Sequence, residues 1–580
     1  MNLAFQMTLA ILLIVFRPIA FAADPAELVV QGAKIVMVDA DFRIAEAMAI
    51  NDGRIVAIGS TDEVKQRIGS DTKVVDLEGQ MVLPGLIDSH VHPSGASQYE
   101  ADHRIPQMES ISDVLDYIRQ RASVVPEGQW ITLEQVFITR LREQRFPTRL
   151  ELDSAAPMHP VWFRTGPDGS ANTLALQQNG IDKDFAAKHP DHVMIDPTSG
   201  ELTGVVREAS SILKTRGGSS GKKLSQAQLD ERLVQLLKDY NRWGITGIID
   251  RNCSDGARAQ YDRLLKAGRL SARVRLSRSL NARVGPEELE ERLDAIVADP
   301  YFQSPDPRLG VIGVKVFEDG GMLTGSAYFN QPWGTSTIYG IIDPLYRGMQ
   351  FIDEEHLEKS VRACVKRGLA YTAHCQGDAA VEALVRVYEK VDKDIPIAPT
   401  RSSVTHSSFM SKASIEGAAR VGVGVDLQPA WLYLDARTLV AQFGEDRLEY
   451  FIPLRSLFDA GVIAGGGSDH MQKIGSLRSV NPYNPFLGMW IAVTRQARWH
   501  ETAIHPEQSL NRQQMIRFYT INNAWLMRNE DEVGSLETGK RADFVVIDRD
   551  LLTCSTEQIR DTKVLSTWID GKLVYDQDSD

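Results

Sequence analysis

The sequence predicts an α/β protein: a (β/α)8 TIM-like barrel, a small β-sandwich formed by both termini, and an inserted subdomain after the first barrel strand. Three observations predict it. Buried-strand runs alternate with amphipathic helical patterns through the middle of the chain. The two ends share a different texture, short alternating runs broken by turn signals. The stretch between the first two barrel-strand candidates is too long for one crossover.

The elements follow in chain order. Residues 1–22 read as a signal peptide: "MNLAFQMTLAILLIVF" has an apolar core at 9–16, and Ala20-Phe21-Ala22 is an A-x-A cleavage site. The core is too short to span a bilayer comfortably, so cleavage and export are expected, to the periplasm or outside the cell. The segment before that core has no Lys or Arg, and Arg17 lies on its wrong side. Residues 23–83 form the first part of the sandwich, in "LVVQGAKIVMV", "EAMAINDGRIVAIG" and "TKVVDLEG", with turns at Asn51-Asp52-Gly53 and Glu78-Gly79. Residues 84–530 are the barrel, with its insertion at about 100–220. Residues 531–580 return to the sandwich in "GSLETGKRADFVVIDRD" and "KVLSTWIDGKLVYD". The eight barrel strands are expected at 86–90, 245–250, 272–280, 311–317, 370–374, 403–406, 421–428 and 462–469. Helical patterns such as "QLDERLVQLLKDYNRWG" and "EEHLEKSVRACVKRG" separate most of them.

Composition bounds the function. Of 580 residues, 43% are hydrophobic and 24% charged, the balance of a soluble globular protein large enough for more than one folding unit. A net charge of −13 argues against broad contact with nucleic acid or an anionic membrane. No segment after the leader resembles a membrane span. The partner expected is a small-molecule substrate, and a homodimer stays open. Cys253, Cys364, Cys375 and Cys554 share no zinc-ribbon spacing, and free buried thiols are the default reading.

The chemistry gathers at strand ends. In "MVLPGLIDSHVHP" the first strand finishes on His90 and His92. Side chains two apart on a strand face the same way, so one segment offers two imidazoles to a metal ion. Alone this motif is weak, since a lone buried histidine is more often a packed core group. The other strands repeat the theme: Lys315 on the fourth, His374 ending the fifth, His406 the sixth and Asp469 the eighth. Barrel chemistry sits at these C-terminal ends. Six such residues in order are hard to attribute to chance.

The sequence here resembles the amidohydrolase superfamily, in the branch described as amidohydrolase family 3 or YtcJ-like. The motifs are "LPGLIDSHVHP", "GITGIID", "VKVFEDGG", "AHCQGD", "LQP", "GGGSDH", "FYTINNAW" and "GSLETGKRADFVVID". The resemblance covers nearly the whole mature chain and implies roles position by position. His90 and His92 would hold one divalent ion with Asp469, and His374 and His406 a second. Lys315 would bridge them as a carbamate formed with CO2; an unmodified Lys315 beside a single metal is the alternative. Zinc is the metal expected, one or two ions per chain. Metal-activated water would attack a carbonyl, with Asp469 as general base and then acid. The reaction expected is hydrolysis of an amide-type C–N bond outside peptides, such as an N-acyl, N-formyl or cyclic amide.

The sequence also departs from the family. A Gly-His pair common in the lid segment reads "GPDGSANT" here, with Pro167 in place of the histidine, and Thr405 stands where a glutamate often precedes the sixth-strand histidine. Tyr328, Trp431, Tyr433 and His470 lie beyond strand ends as candidate substrate contacts, with loop packing or surface exposure as the alternative. Cys375 should point away from the site. Esterase or lactonase activity uses the same chemistry. A deaminase would need H-x-x-E after the fifth strand, where Gly377 stands instead. A non-catalytic binding protein on the same scaffold is the rival of a different class.

Overall fold

The structure is a computed structural model that describes residues 24–134, 136–215, 224–304 and 306–579. The expected leader at 1–22 lies outside the described residues. Eight parallel strands build one sheet in strict chain order: Leu86–Val91, Ile245–Cys253, Arg273–Ser279, Leu309–Phe317, Ala370–Cys375, Ser403–His406, Gly424–Leu427 and Ala464–Gly466. The first strand is buried throughout, as a strand covered by helices on one face and the barrel interior on the other must be. Helices between strands start on side-chain caps. Ser225 opens Gln226–Arg242 with a capping box to Gln228, and Asp353 caps Glu354–Lys366.

The last two strands are shorter than expected. Val421 ends the helix Lys412–Val421, and Gly422 caps it with φ +66°, so the seventh strand starts only at Gly424. The eighth pairs over Ala464–Gly466 alone. The glycine run explains its close packing. A Cβ on Gly465 would fall 2.0 Å from Asn523 Oδ1, and one on Gly467 would fall 2.9 Å from His90 Cβ.

The ring closes between the eighth strand's exit and the first strand. The Asp469 N–H donates to His90 O at 2.8 Å, and the His92 N–H donates to His470 O at 2.8 Å. Lower in the seam, Asn523 Nδ2 donates to both Ile87 O and Gly466 O.

Both ends of the chain share a six-stranded sheet. Phe544–Ile547 runs antiparallel to Met81–Pro84, which continues to Lys34–Val36. A four-stranded sheet containing Leu28–Gln31 and Ala47–Asn51 faces it. Leu28, Val30 and Met48 from one sheet pack with Ile35, Val82 and Phe544 from the other. Between the first and second barrel strands lies a five-stranded sheet, Ile131–Leu133, Val161–Thr165, Asp168–Ala171, Leu202–Val206 and Val193–Ile195, with its own core around Trp130 and Trp162. All four cysteines are free. No helix among the described residues is long and apolar enough to cross a membrane.

Candidate metal centre

The end of the first strand is locked to the eighth-strand loop before any ligand is considered. Asp88 Oδ1 accepts the N–H of His90 and the N–H of Ser468, each at 3.0 Å. Burial pushes the Asp88 carboxyl up to about 7. This clamp brings three donor atoms together: His90 Nε2 and His92 Nε2 are 3.3 Å apart, and Asp469 Oδ1 lies 3.4 Å from the first and 3.1 Å from the second. With metal–ligand bonds of about 2.0–2.1 Å, neighbouring donors of a tetrahedral ion sit ~3.3 Å apart. The three donors already have that spacing, and they form one of the two metal-competent groupings among the described residues.

The remaining expected ligands surround this triad. The His90 ring stacks on His406 with centroids 4.7 Å apart, and His374 meets His406 edge-on at 4.5 Å. The chain turns sharply where two of these side chains leave their strands. His406 has φ +71° and Asp469 φ +54°, left-handed backbone that non-glycine residues rarely adopt. Burial holds His374 down to about 3, and holds His90 and His406 well below the usual imidazole range. His92 shifts the other way: burial opposes it, but the hydrogen bond and charge of Asp469 raise it. Lys315 is buried and held down to about 7, chiefly by burial. No carboxylate forms an ion pair with it among the described residues; its ammonium lies 5.6 Å over the Phe317 ring.

Sequence reasoning missed the group that organises these ligands. Asp426, on the seventh strand and wholly buried, accepts from His90 Nδ1 at 3.2 Å through Oδ1. Its Oδ2 takes Thr405 Oγ1 at 3.0 Å and pairs with Arg251 at 3.0 Å. Gln428 ties the arrangement to the sixth strand: its Nε2 donates to Asp426 Oδ1 at 3.2 Å and its Oε1 accepts from His406 Nδ1 at 2.8 Å. Both histidines thus spend Nδ1–H on the protein and present Nε2 to the mouth. His374 is turned the other way, with Nε2 3.4 Å from Gly320 O, which leaves Nδ1 for a ligand role. Three imidazoles held neutral by burial, with His92 and the Asp469 carboxylate beside them, fit a divalent borderline metal. Asp426 also completes the second metal-competent grouping, with His90 and His406.

Residues 73–575 match the model of the amidohydrolase family. The chain belongs to that family. It is 27% identical over 563 residues to the N-substituted formamide deformylase of Arthrobacter pascens, covering 95% of this chain and 98% of that protein. It is 25% identical over 543 residues to YtcJ of Bacillus subtilis, covering 92% and 96%. A metal-dependent hydrolase from Pyrococcus horikoshii superimposes with a TM-score of 0.65 at 20% identity, over 91% of this chain and 99% of that one.

Of the four candidate substrate contacts in this amidohydrolase, Trp431 is the one whose side chain meets a ring of the histidine cluster, 5.0 Å from His406. Tyr433 instead packs on Trp490, and Arg347 lies over the Tyr328 ring. His470 is a core residue, contrary to its reading as a substrate contact or surface group. Its Nε2 sits 2.8 Å from both Gln472 O and Lys473 O and must carry the proton, so Nδ1 accepts from Tyr240 OH at 2.7 Å. Burial holds it down to about 4. Cys375 is buried in the main core. In the lid motif, Asn172 is structural: its Oδ1 caps the following helix at Ala175 N, and its Nδ2 donates to His159 O.

Proposed function

We propose that this amidohydrolase cleaves an amide-type C–N bond outside peptides, in an N-formyl, N-acyl or cyclic amide, using zinc held by the strand-end residues. The observation that carries the reading is the 3.1–3.4 Å spacing of His90 Nε2, His92 Nε2 and Asp469 Oδ1. In this reading those residues hold one ion, and His374 Nδ1 with His406 Nε2 hold a second. Lys315 would join these ligands as a carbamate, a role that suits a buried amine that forms no ion pair with a carboxylate among the described residues. The deformylase relative supports an N-formyl substrate.

A divalent ion there supplies Lewis acidity and brings the pKa of a coordinated water toward neutrality. The chain's own part falls to Asp469. Its Oδ1 faces the two histidines, which leaves Oδ2 to take the proton of the attacking water and deliver it to the leaving nitrogen. His90 and His406 keep their orientation through Asp426 and Gln428, and Trp431 walls the cluster on one side. A deaminase-type glutamate has no room at position 377, because a Cβ on Gly377 would fall 2.0 Å from Tyr328 O. The leader at 1–22 supports export, and N-terminal sequencing that finds an intact Met1 on protein from the cytoplasm would refute that part.

The test is metal analysis beside a product-identified screen of N-formyl, N-acyl, cyclic-amide and lactone substrates. Stoichiometric zinc with cleavage of one amide class, lost on chelation and restored by zinc, is the expected result. Unchanged turnover in verified metal-free protein would reject it. Cleavage of lactones alone would move the chemistry to C–O bonds.

A further inference from the structure

The end of the barrel away from the histidines carries a second gathering of charge. Where the third and fourth strands begin, a cavity of about 450 Å3 lies between the barrel and the sandwich. Four arginines line it: Arg54 from the N-terminal hairpin, Arg275 from the third strand, and Arg528 and Arg541 from the C-terminal stretch. Two acids, Asp306 and Glu532, face the same space.

The charges do not balance. Glu532 takes Arg54 at 2.8 Å and Arg541 at 2.8 Å, and Arg541 also reaches Asp570 at 3.0 Å. Asp306 Oδ1 accepts the N–H groups of Arg308 at 2.7 Å and Leu309 at 3.1 Å. Arg275 is only 6% exposed, yet no carboxylate stands within ion-pair distance of it among the described residues. Its hydrogen bonds go to neutral oxygens, Asn529 Oδ1 at 3.0 Å and Val274 O at 3.2 Å. Among the described residues Arg528 likewise donates to carbonyls, Gly368 O at 2.8 Å and Ile312 O at 3.4 Å. Because Asn529 turns its oxygen to Arg275, its Nδ2 is left buried without a partner among the described residues. Burial, then Arg273, presses Arg275 down to about 10 against the pull of Asp306 and Glu532.

Arg275 is held in place by its surroundings. It lies across Gly310, where a Cβ would come within 3.1 Å of its Cδ. A buried guanidinium is costly unless an anion offsets it, and guanidinium forks match oxyanions by shape as well as charge. We propose that this cavity binds a small oxyanion, received by Arg275, Arg528 and the Asn529 amide. The site draws on the N-terminal hairpin, the barrel and the C-terminal stretch, on the barrel face that governs stability rather than chemistry. Occupancy therefore ties the third barrel strand to the stretch at Arg528 and Asn529, where the chain leaves the barrel for the sandwich.

The experiment follows thermal unfolding of the full-length metal-loaded protein while inorganic phosphate, or in a second arm succinate, is titrated at ionic strength held constant with NaCl. The expected result is a saturable rise in Tm with at least one anion, the arm identifying a phosphate-type or a dicarboxylate ligand. Arg275→Gln should weaken the apparent affinity about 10-fold or more, and Arg528→Gln gives the same reading should the first variant not fold. Phosphate acting at the histidines would raise Tm equally in these variants, which lie at the opposite end of the barrel. Asp306→Asn removes a competing negative charge and should tighten binding. The proposal is overturned if neither anion raises Tm beyond the NaCl control, if the rise persists undiminished in either arginine variant that folds, or if Asp306→Asn weakens binding.

Discussion

His90 Nδ1 and Asp426 Oδ1 meet at 3.2 Å in a fully buried contact, across 336 residues of chain. That contact fixes which nitrogen of His90 faces the mouth. Asp426→Asn keeps the volume but removes the charge that orients His90 and pairs with Arg251. Outer partners of this kind are typically worth about 10–100-fold in metal affinity or activity. Chelator competition and kcat measured together are the check; wild-type values for both would reduce the contact to a packing role.

Asp469→Asn separates proton transfer from metal binding. The amide oxygen can still face His90 and His92, but it cannot carry the proton. The expected loss is on the order of 10²–10⁴ in kcat with zinc largely retained. His90→Ala should lose zinc and activity together. Near-normal turnover in a zinc-loaded asparagine variant would remove Asp469 from the proton path.

Position 377 tests the packing around the fifth-strand exit. A Cβ there would overlap the Tyr328 carbonyl oxygen, a backbone atom that cannot swing aside. Gly377→Ala should destabilise the protein by about 1–3 kcal/mol, and Gly377→Glu by more. A Tm equal to wild type in the alanine variant would show that the loop carrying Tyr328 yields freely.

The barrel–sandwich junction should be acid-labile through Asp570. Burial raises its carboxyl, but Arg273 and then Arg308 and Arg541 outweigh that and hold it at about 2, below its ordinary 3.8. A depressed carboxylate contributes stability that is fully present above about pH 4 and is lost as pH falls through 2. The shift corresponds to about 2 kcal/mol for this mostly buried group. Asp570→Asn should remove that increment at pH 7 and flatten the loss of Tm between pH 4 and 2. An unchanged acid limb would locate the acid sensitivity elsewhere.

The barrel was legible because its strands are nearly continuous apolar runs and its chemistry clusters at their ends. The hairpin at Asn51-Asp52-Gly53 was legible from turn chemistry alone, and Asp52 and Gly53 do adopt φ +48° and +73°. The extent of the last two strands was not. Apolar runs through Val421 and Val462 look alike whether they belong to a helix end, a loop or a strand, and Gly422 and the close approach at Gly465 decide the matter. Asp426 was hidden for a related reason. An aspartate inside a strand carries no spacing signal, and its importance appears only when His90, Arg251 and Gln428 arrive from distant parts of the chain. His470 misled because a position beyond a strand end does not separate a side chain facing the mouth from one turned into the core, where Tyr240 and the Gln472 and Lys473 carbonyls hold it.

Asp88 Oδ1 receives Ser468 N–H across 380 residues of sequence, and the donors of the candidate metal triad straddle the same seam. No shorter piece of the barrel contains that triad. Assembly of the reactive centre is therefore the same event as completion of the ring, the contact with the heaviest loop-closure entropy in the barrel. A chain still folding holds no preformed pocket for the ion, and an ion that binds the closed ring acts as its latch, so metal occupancy should slow unfolding by holding together strands that were made first and last.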